Sequence, residues 1–281
     1  MPLSNINSED YQAFRRFLEE ACGILLGDNK HYLVQSRLGG LVQSQGLSSL
    51  GELVHALRRA PPGSRLREQV IEAMTTNETL WFRDRHPFEI LEKTVLPALA
   101  AQGLRNPRVW SAACSTGQEP YSISMTVQQY LAANPGKLRD VGIVATDISP
   151  RVLTEAREGF YDSLALSRGL PRPLRDRYFR RDAAHWEERW QVADEIRRRV
   201  RFTVANLQES YARLGRFEVI FCRNVLIYFS AETKRDILAR MADTLADRGW
   251  LFLGASESLS NHSNAFEMVR AEGGVVYRKR G

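Results

Sequence analysis

The sequence predicts an α/β protein: an open, mostly parallel sheet, preceded by an all-helical segment and interrupted by a small β-rich insertion. From residue 108 onward, short apolar runs alternate with segments of helical period, the pattern of helices packed on parallel strands. The stretch RVWSAACSTGQEPYS (108–122) passes from an apolar run through a small-residue turn into a helix. Pro120 sits in that helix's first turn, where its missing N–H costs nothing. Residues 1–75, by contrast, carry helical spacing throughout.

In the helical segment, Asn7-Ser8 forms a cap, and Glu9 and Asp10 in the first turn favour the helix dipole. Tyr11, Phe14, Leu18, Ala21, Cys22 and Leu25 then make one apolar face. A second helix carries Val34, Leu38, Leu41 and Val42 and stops near Gly46. Ser49 and Glu52 have capping-box spacing ahead of Leu53, Val54 and Leu57, and Pro61-Pro62 ends that helix. Leu66, Val70 and Met74 mark a fourth. The next stretch, TTNETLWFRDRHPF (75–88), is too polar for a core helix and too aromatic for a plain linker. Read alone, it is an interdomain joint.

The sheet follows in order. After the strand from residue 108 and the helix from Glu119 to about Leu131, Val141 to Thr146 reads as a second buried strand ending at Asp147. Ser149-Pro150 starts the next helix. Val200 to Val204, Phe217 to Phe221 and Gly249 to Ala255 are further strands, and Ala231 to Ala246 is a helix. Phe266 to Val269 and Val275 to Arg278 make a terminal antiparallel pair. Polar residues stand at the carboxyl ends of these strands: Ser115 and Thr116, Asp147, Asn206, Arg223 and Asn224. Ligands of open α/β sheets bind along that edge.

The chemistry of the first turn narrows the ligand. It lacks G-x-G-x-x-G, and Glu119 at the helix mouth repels the pyrophosphate that such a helix would otherwise hold. An acid there suits an amino group or ribose hydroxyls. Asp147 stands where Rossmann-like folds grip a ribose diol, although a lone Asp after a strand also serves as a helix cap. Together the two acids point to S-adenosylmethionine (AdoMet) rather than NAD or ATP.

Residues 151–200 break the rhythm, with an Arg-rich stretch containing Trp186 and Trp190 that reads as an inserted subdomain. Between Arg168 and Arg201 there are 11 Arg against 6 Asp plus Glu, whereas residues 1–75 balance at 8 basic and 8 acidic. The net charge of +6 is therefore local, and it fits either a solvated face or an acidic partner. No apolar run approaches the roughly 20 residues of a membrane span. MPLSNINSED has neither a basic n-region nor an apolar h-region, and Cys22, Cys114 and Cys222 are few and far apart. A cytoplasmic protein with reduced thiols, no zinc site and no membrane insertion is expected.

The motifs TTNETLWFR (75–83), SAACSTGQEPYS (111–122), ATDIS (145–149), ANL (205–207), FCRNVLIYF (221–229) and SES (256–258) carry a family resemblance. The sequence resembles the CheR-type chemoreceptor glutamate O-methyltransferases over essentially its whole length. The resemblance implies a helical domain (1–75), a linker and first helix completing the AdoMet pocket (76–107), and a Rossmann-like class I methyltransferase domain (108–281) with a β-subdomain at 160–200. It also implies site roles. Asn77, Thr79 and Arg83 line the AdoMet pocket, Glu119 lies near its amino-acid portion, Asp147 holds the ribose, and Asn206-Leu207 lie by the adenine. Arg223, Asn224 and Tyr228 sit in the segment facing the methyl group, so that Arg83, Arg223 and Tyr228 are the expected catalytic set and Arg223 and Asn224 also border the cofactor. The product is S-adenosylhomocysteine (AdoHcy).

Residue chemistry agrees with that activity. A glutamate side chain is ionised at neutral pH, and AdoMet carries an already activated methyl, so neither general base nor metal is required. The task is alignment and exclusion of water. One departure concerns partners. Family members that dock on a receptor's C-terminal tail peptide have a glycine-bearing loop in the β-subdomain, whereas no Gly occurs here between Gly169 and Gly215. Tail-peptide docking is therefore doubtful, and direct recognition of the receptor's methylation helices by a monomer is expected. Two other readings stand beside it. The basic insertion suggests an AdoMet enzyme acting on nucleic acid, but CRNVLIYF lacks the Asn/Asp-Pro-Pro-aromatic segment of base methyltransferases, and no nucleic-acid partner is expected. A non-catalytic AdoMet-binding signalling module fits poorly with the intact Arg83, Glu119, Asp147 and Tyr228.

Overall fold

The computed structural model describes residues 6–183 and 188–281; Trp186 lies outside the described residues. The chain divides into two compact units. One runs through Thr76 and includes Tyr228–Thr233, and the other comprises Asn77–Ile227 and Lys234–Gly281. A division by linear sequence does not anticipate the return of Tyr228–Thr233 to the helical unit. Its physical anchor is a main-chain hydrogen bond, from the Leu25 N–H to the Tyr228 carbonyl at 2.8 Å.

The helical unit holds α1 (Ser8–Cys22), α2 (His31–Ser44), α3 (Leu50–Arg59) and α4 (Arg65–Met74). Asn7 caps α1, its side chain accepting from the Asp10 N–H at 2.8 Å. Ser49 caps α3 by accepting from the Glu52 N–H at 3.2 Å. Glu52 returns its carboxylate to the Ser48 N–H at 2.8 Å, so the reciprocal bond is displaced one residue from an ideal capping box. Tyr11, Phe14, Leu18, Val34, Leu38, Leu53, Leu57 and Val70 are all buried, each contributing on the order of 1.5–3 kcal/mol of burial. Leu25, read as part of the α1 face, is instead 49% exposed, because Gly23 in a left-handed conformation ends the helix before it.

The sheet unit opens with α5 (His86–Ile90), a π-helical turn (Leu91–Val95) and α6 (Leu96–Ala101). Then come β1 (Arg108–Ala112), α7 (Gln118–Ala133), β2 (Gly142–Asp147) and α8 (Pro150–Glu158). The insertion contributes β3 (Phe160–Asp162), α9 (Ser163–Ser167), α10 (Arg172–Tyr178), β4 (Phe179–Arg181), β5 (Arg189–Val192) and α11 (Asp194–Arg197). The main sheet resumes with β6 (Val200–Val204), β7 (Phe217–Cys222), α12 (Ala231–Thr244), β8 (Leu245–Leu253), β9 (Phe266–Ala271) and β10 (Gly274–Lys279). Seven strands run in the order β6-β2-β1-β7-β8-β10-β9. β6, β2, β1, β7 and β8 are mutually parallel, while β10 is antiparallel to both neighbours. The chain moves from β1 to β2 on one side and later returns to place β7 on the other. The β1/β7 boundary is thus the topological switch point, where a crevice opens at the carboxyl ends of the strands.

β8 starts four residues earlier than the apolar pattern indicates, since the buried Leu245 already pairs with Phe217, and the chain then passes through an irregularity at residues 246–249 before Trp250 pairs with Val219. Val225–Phe229, apolar in sequence, forms a turn and a short 3₁₀ segment (Leu226–Tyr228) rather than regular structure. No helix among the described residues is long and apolar enough to cross a membrane.

The insertion is an antiparallel three-stranded sheet, β3-β5-β4. Its core of Tyr161, Tyr178, Phe179, Val192 and Ile196 closes over Trp81, from the polar–aromatic segment before the sheet. Trp81 stands edge-on to Tyr161 and to Phe179, with ring centroids 4.8 and 5.3 Å away. The Trp81 N–H donates to the Arg168 carbonyl at 3.0 Å. Gly169 follows at φ +96°, where an added Cβ would lie 2.2 Å from the Trp81 carbonyl oxygen. Only glycine fits that approach.

Candidate active site

The β1 exit is shaped by strain. Ala113 (φ +60°) and Ser115 (φ +50°) are both left-handed, which bends the chain sharply between the strand and α7. The bend brings the Ser115 N–H to Asp147 Oδ2 at 2.8 Å, while Asp147 Oδ1 accepts from the Ser149 N–H at 3.0 Å. Ser149, not Asp147, caps α8. Asp147 is only 6% exposed, and burial raises its carboxyl, opposed by the backbone N–H groups of Ser149, Ser115 and Ile148. A carboxylate offers about four acceptor positions, so these three donors leave acceptor capacity. This is a carboxylate fixed at the end of β2 with capacity left for a diol.

Glu119, in the first turn of α7, accepts from Ser111 Oγ at 2.7 Å and from Arg223 Nη1 at 3.0 Å. Burial raises its carboxyl, and the Arg223 guanidinium and the Ser111 hydroxyl oppose that rise. Arg223, expected near the methyl group, has a side chain only 1% exposed. Its Nη2 donates to Asp84 Oδ2 at 2.7 Å and to the Arg83 carbonyl at 2.8 Å. Those acceptors belong to a tight turn in which Phe82, Asp84 and Arg85 are all left-handed. Non-glycine residues held there cost on the order of 1–3 kcal/mol each, so a buried cation that binds both the turn and Glu119 braces the strained segment.

That brace places the polar–aromatic segment on the sheet unit. Ser115 Oγ donates to the Asn77 carbonyl at 2.8 Å, and the Phe82 N–H donates to Ser122 Oγ at 3.1 Å. Asn77, Thr79 and Arg83 are half-buried. At the end of β6, Ala205 donates its N–H to the Asp147 carbonyl at 3.0 Å, and Asn206 Oδ1 accepts from the Gln208 N–H at 3.1 Å. Leu207 is buried, its carbonyl held by Tyr211 Oη and by Arg240. At the end of β7, Asn224 is left-handed (φ +58°), and its N–H donates to Glu257 Oε2 at 2.7 Å. Tyr228 groups with the helical unit. The sheet unit contains Asn77, Thr79, Arg83, Glu119, Asp147, Asn206, Leu207, Arg223 and Asn224, and not Tyr228; its hydrogen bonds tie Asn77 to Asp147 through Ser115, and the main chain of Arg83 to Glu119 through Arg223.

Sequence reasoning missed Asp84, Ser111 and Glu257 as partners in this arrangement. Asp84 had the adjacency of an acid to Arg83 as its only signal, and Glu257 lay within a quoted motif without an assigned role. Ser111 opened the motif SAACSTGQEPYS, likewise without an assigned role.

A parallel sheet with one antiparallel strand inserted before its edge, an acid at the end of β2 and an acid in the first turn of α7 are the pattern of the class I AdoMet-dependent methyltransferases. Family comparison narrows the class. Residues 9–75 match the all-alpha domain of the CheR methyltransferases, and residues 77–275 match their SAM-binding domain. The chain belongs to the CheR methyltransferase family. It is 54% identical over 273 residues to chemotaxis protein methyltransferase 1 of Pseudomonas aeruginosa, covering 96% of this chain and 98% of the relative. It is 52% identical to chemotaxis protein methyltransferase Cher2 of Pseudomonas putida, with the same two coverages. With the chemotaxis protein methyltransferase of Vibrio parahaemolyticus the identity is 49%, over 99% of each chain. The protein is an AdoMet-dependent methyltransferase of chemotaxis.

Proposed function

We propose that the chain transfers the methyl group of AdoMet to glutamate side chains on the cytoplasmic helices of chemoreceptors, forming methyl esters, and that it works as a monomer in the cytoplasm. The observation that carries this reading is the buried Asp147 carboxylate at the switch-point edge, fixed by the Ser115 and Ser149 N–H groups and free to accept a ribose diol. The donor set fits AdoMet: two carboxylates and a short polar turn, with the buried Arg223 already committed to Glu119 and Asp84. AdoMet supplies an electrophilic methyl on a sulfonium. The chain's own residues bind, orient and keep out water. Asp147 holds the ribose, Asn206-Leu207 border the adenine, and the remaining acceptor positions of Glu119 suit the ligand's ammonium. Arg83 forms no ion pair among the described residues, so its guanidinium is available to a carboxylate. Arg223 acts by holding Glu119 and the 82–85 turn in place. Tyr228 is assigned to the transfer step by its place in the FCRN-x-x-IYF segment.

Residues 1–75 are read as a helical domain, and the β-subdomain as a receptor-facing element that does not require a tail peptide. Peptide mapping of receptors after incubation with enzyme and AdoMet tests the acceptor. A methyl mass on glutamate within the methylation helices supports the reading, and modification confined to Lys, Arg or nucleic acid overturns it.

A further inference from the structure

Four main-chain N–H groups converge on the side chain of Glu257. Oε2 accepts from Asn224 at 2.7 Å and from Gly254 at 2.7 Å. Oε1 accepts from Val225 at 3.0 Å and from Ile227 at 3.3 Å. Three of the four donors belong to the turn that leaves β7, and the fourth to the exit of β8. The turn starts at Asn224 in a left-handed conformation, which a small amide residue tolerates but does not prefer. Gly254 comes so close that an added Cβ would lie 2.7 Å from Glu257 Oε2 and 2.8 Å from Asn224 Nδ2. Backbone donors that converge in this way make an anion site, and here the chain fills it with its own carboxylate.

We propose that Glu257 is a positioning residue for cofactor binding and methyl transfer, acting through the Asn224 turn. Without an anion, the four donors lose their common acceptor, and Asn224 loses the bond from its N–H that pins the turn beside the buried Arg223. The carboxylate thereby locks the β7 exit to the β8 exit and fixes Asn224 at the carboxyl edge. This inference rests on the methyl-transfer reading above.

The test uses the full chain. Glu257→Ala removes the carboxylate and leaves space for acetate, whereas Glu257→Gln fills the space with a group that presents an NH₂ to two of the donors. Both variants are compared with wild type for AdoHcy affinity by calorimetry, for turnover with receptor membranes, and for folding by circular dichroism. The expected result is a tenfold or greater loss of AdoHcy affinity and turnover in both variants at wild-type secondary structure. Acetate restores both readouts in Glu257→Ala and neither in Glu257→Gln. Wild-type affinity and turnover in either folded variant, or a loss in Glu257→Ala that acetate leaves unchanged, overturns the proposal. Should Glu257→Ala fail to fold, Glu257→Gln against Glu257→Asp decides it: retained affinity in Asp with loss in Gln supports the clamp, and equal behaviour contradicts it. Wild-type protein that binds AdoHcy but methylates no carboxylate would instead remove the methyl-transfer reading, while the affinity comparison would still judge the clamp.

Discussion

Two buried carboxylates and one buried guanidinium set the behaviour of the site at the scale of single residues. Burial raises Asp147 and Glu119, so the folded chain holds their protons more tightly than the unfolded chain does. Their ionisation therefore costs stability as pH rises through the window between the ordinary and the raised carboxyl values. Affinity has the opposite sign, because a ribose diol and an ammonium need the ionised acceptor. AdoHcy titrated calorimetrically at successively lower pH should weaken at a higher pH than ordinary carboxyl protonation would give, while the thermal midpoint should not fall for this reason. Arg223 is the riskier residue to change. With its side chain 1% exposed and bound to Glu119, Asp84 and the Arg83 carbonyl, Arg223→Met leaves two acids unpaired against a strained turn. We expect a loss of about 3–5 kcal/mol in denaturant unfolding. Tyr228→Phe should do the reverse of a structural lesion, lowering turnover far more than AdoHcy affinity. An equal loss in both would remove Tyr228 from the transfer point.

At the scale of elements, the polar–aromatic segment shows what sequence pattern conveys and what it hides. TTNETLWFR was legible as neither core helix nor plain linker, and its motif carried part of the family resemblance. Its dependence on Arg223 and on the β-subdomain was not legible, because those contacts join residues about 90 to 140 positions apart. Trp81 is fully buried among the β-subdomain aromatics, and its Nε1–H has no acceptor among the described residues. Trp81→Phe should cost less than about 1.5 kcal/mol, since the lost volume is partly offset by removing an unsatisfied donor. Trp81→Ala should cost about 3–5 kcal/mol in the same unfolding assay. Similar costs for both would mean that the aromatic cluster does not hold the segment. Strand ends were the least legible feature. β8 reaches back across an unpaired polar stretch because Leu245, buried and paired with Phe217, anchors its start.

For the whole molecule, the alternation of strands and helices was enough to give a parallel sheet, and the acids at Glu119 and Asp147 were enough to separate AdoMet from phosphate-bearing ligands. The grouping of Tyr228–Thr233 with the helical unit was invisible, since nothing in its composition distinguishes it from the start of α12. The charge of +6, concentrated between residues 168 and 201, belongs at this scale as well. If it steers an acidic receptor surface, raising ionic strength should increase KM for receptor membranes while AdoHcy affinity stays nearly constant. The central claim is that a carboxylate accepts the methyl group. Its most direct test is to label receptor membranes with radioactive methyl from AdoMet and then treat them with mild base. Base-released methanol is the predicted result, as only an ester yields it; label that survives base would be an N- or C-methyl product and would contradict the account.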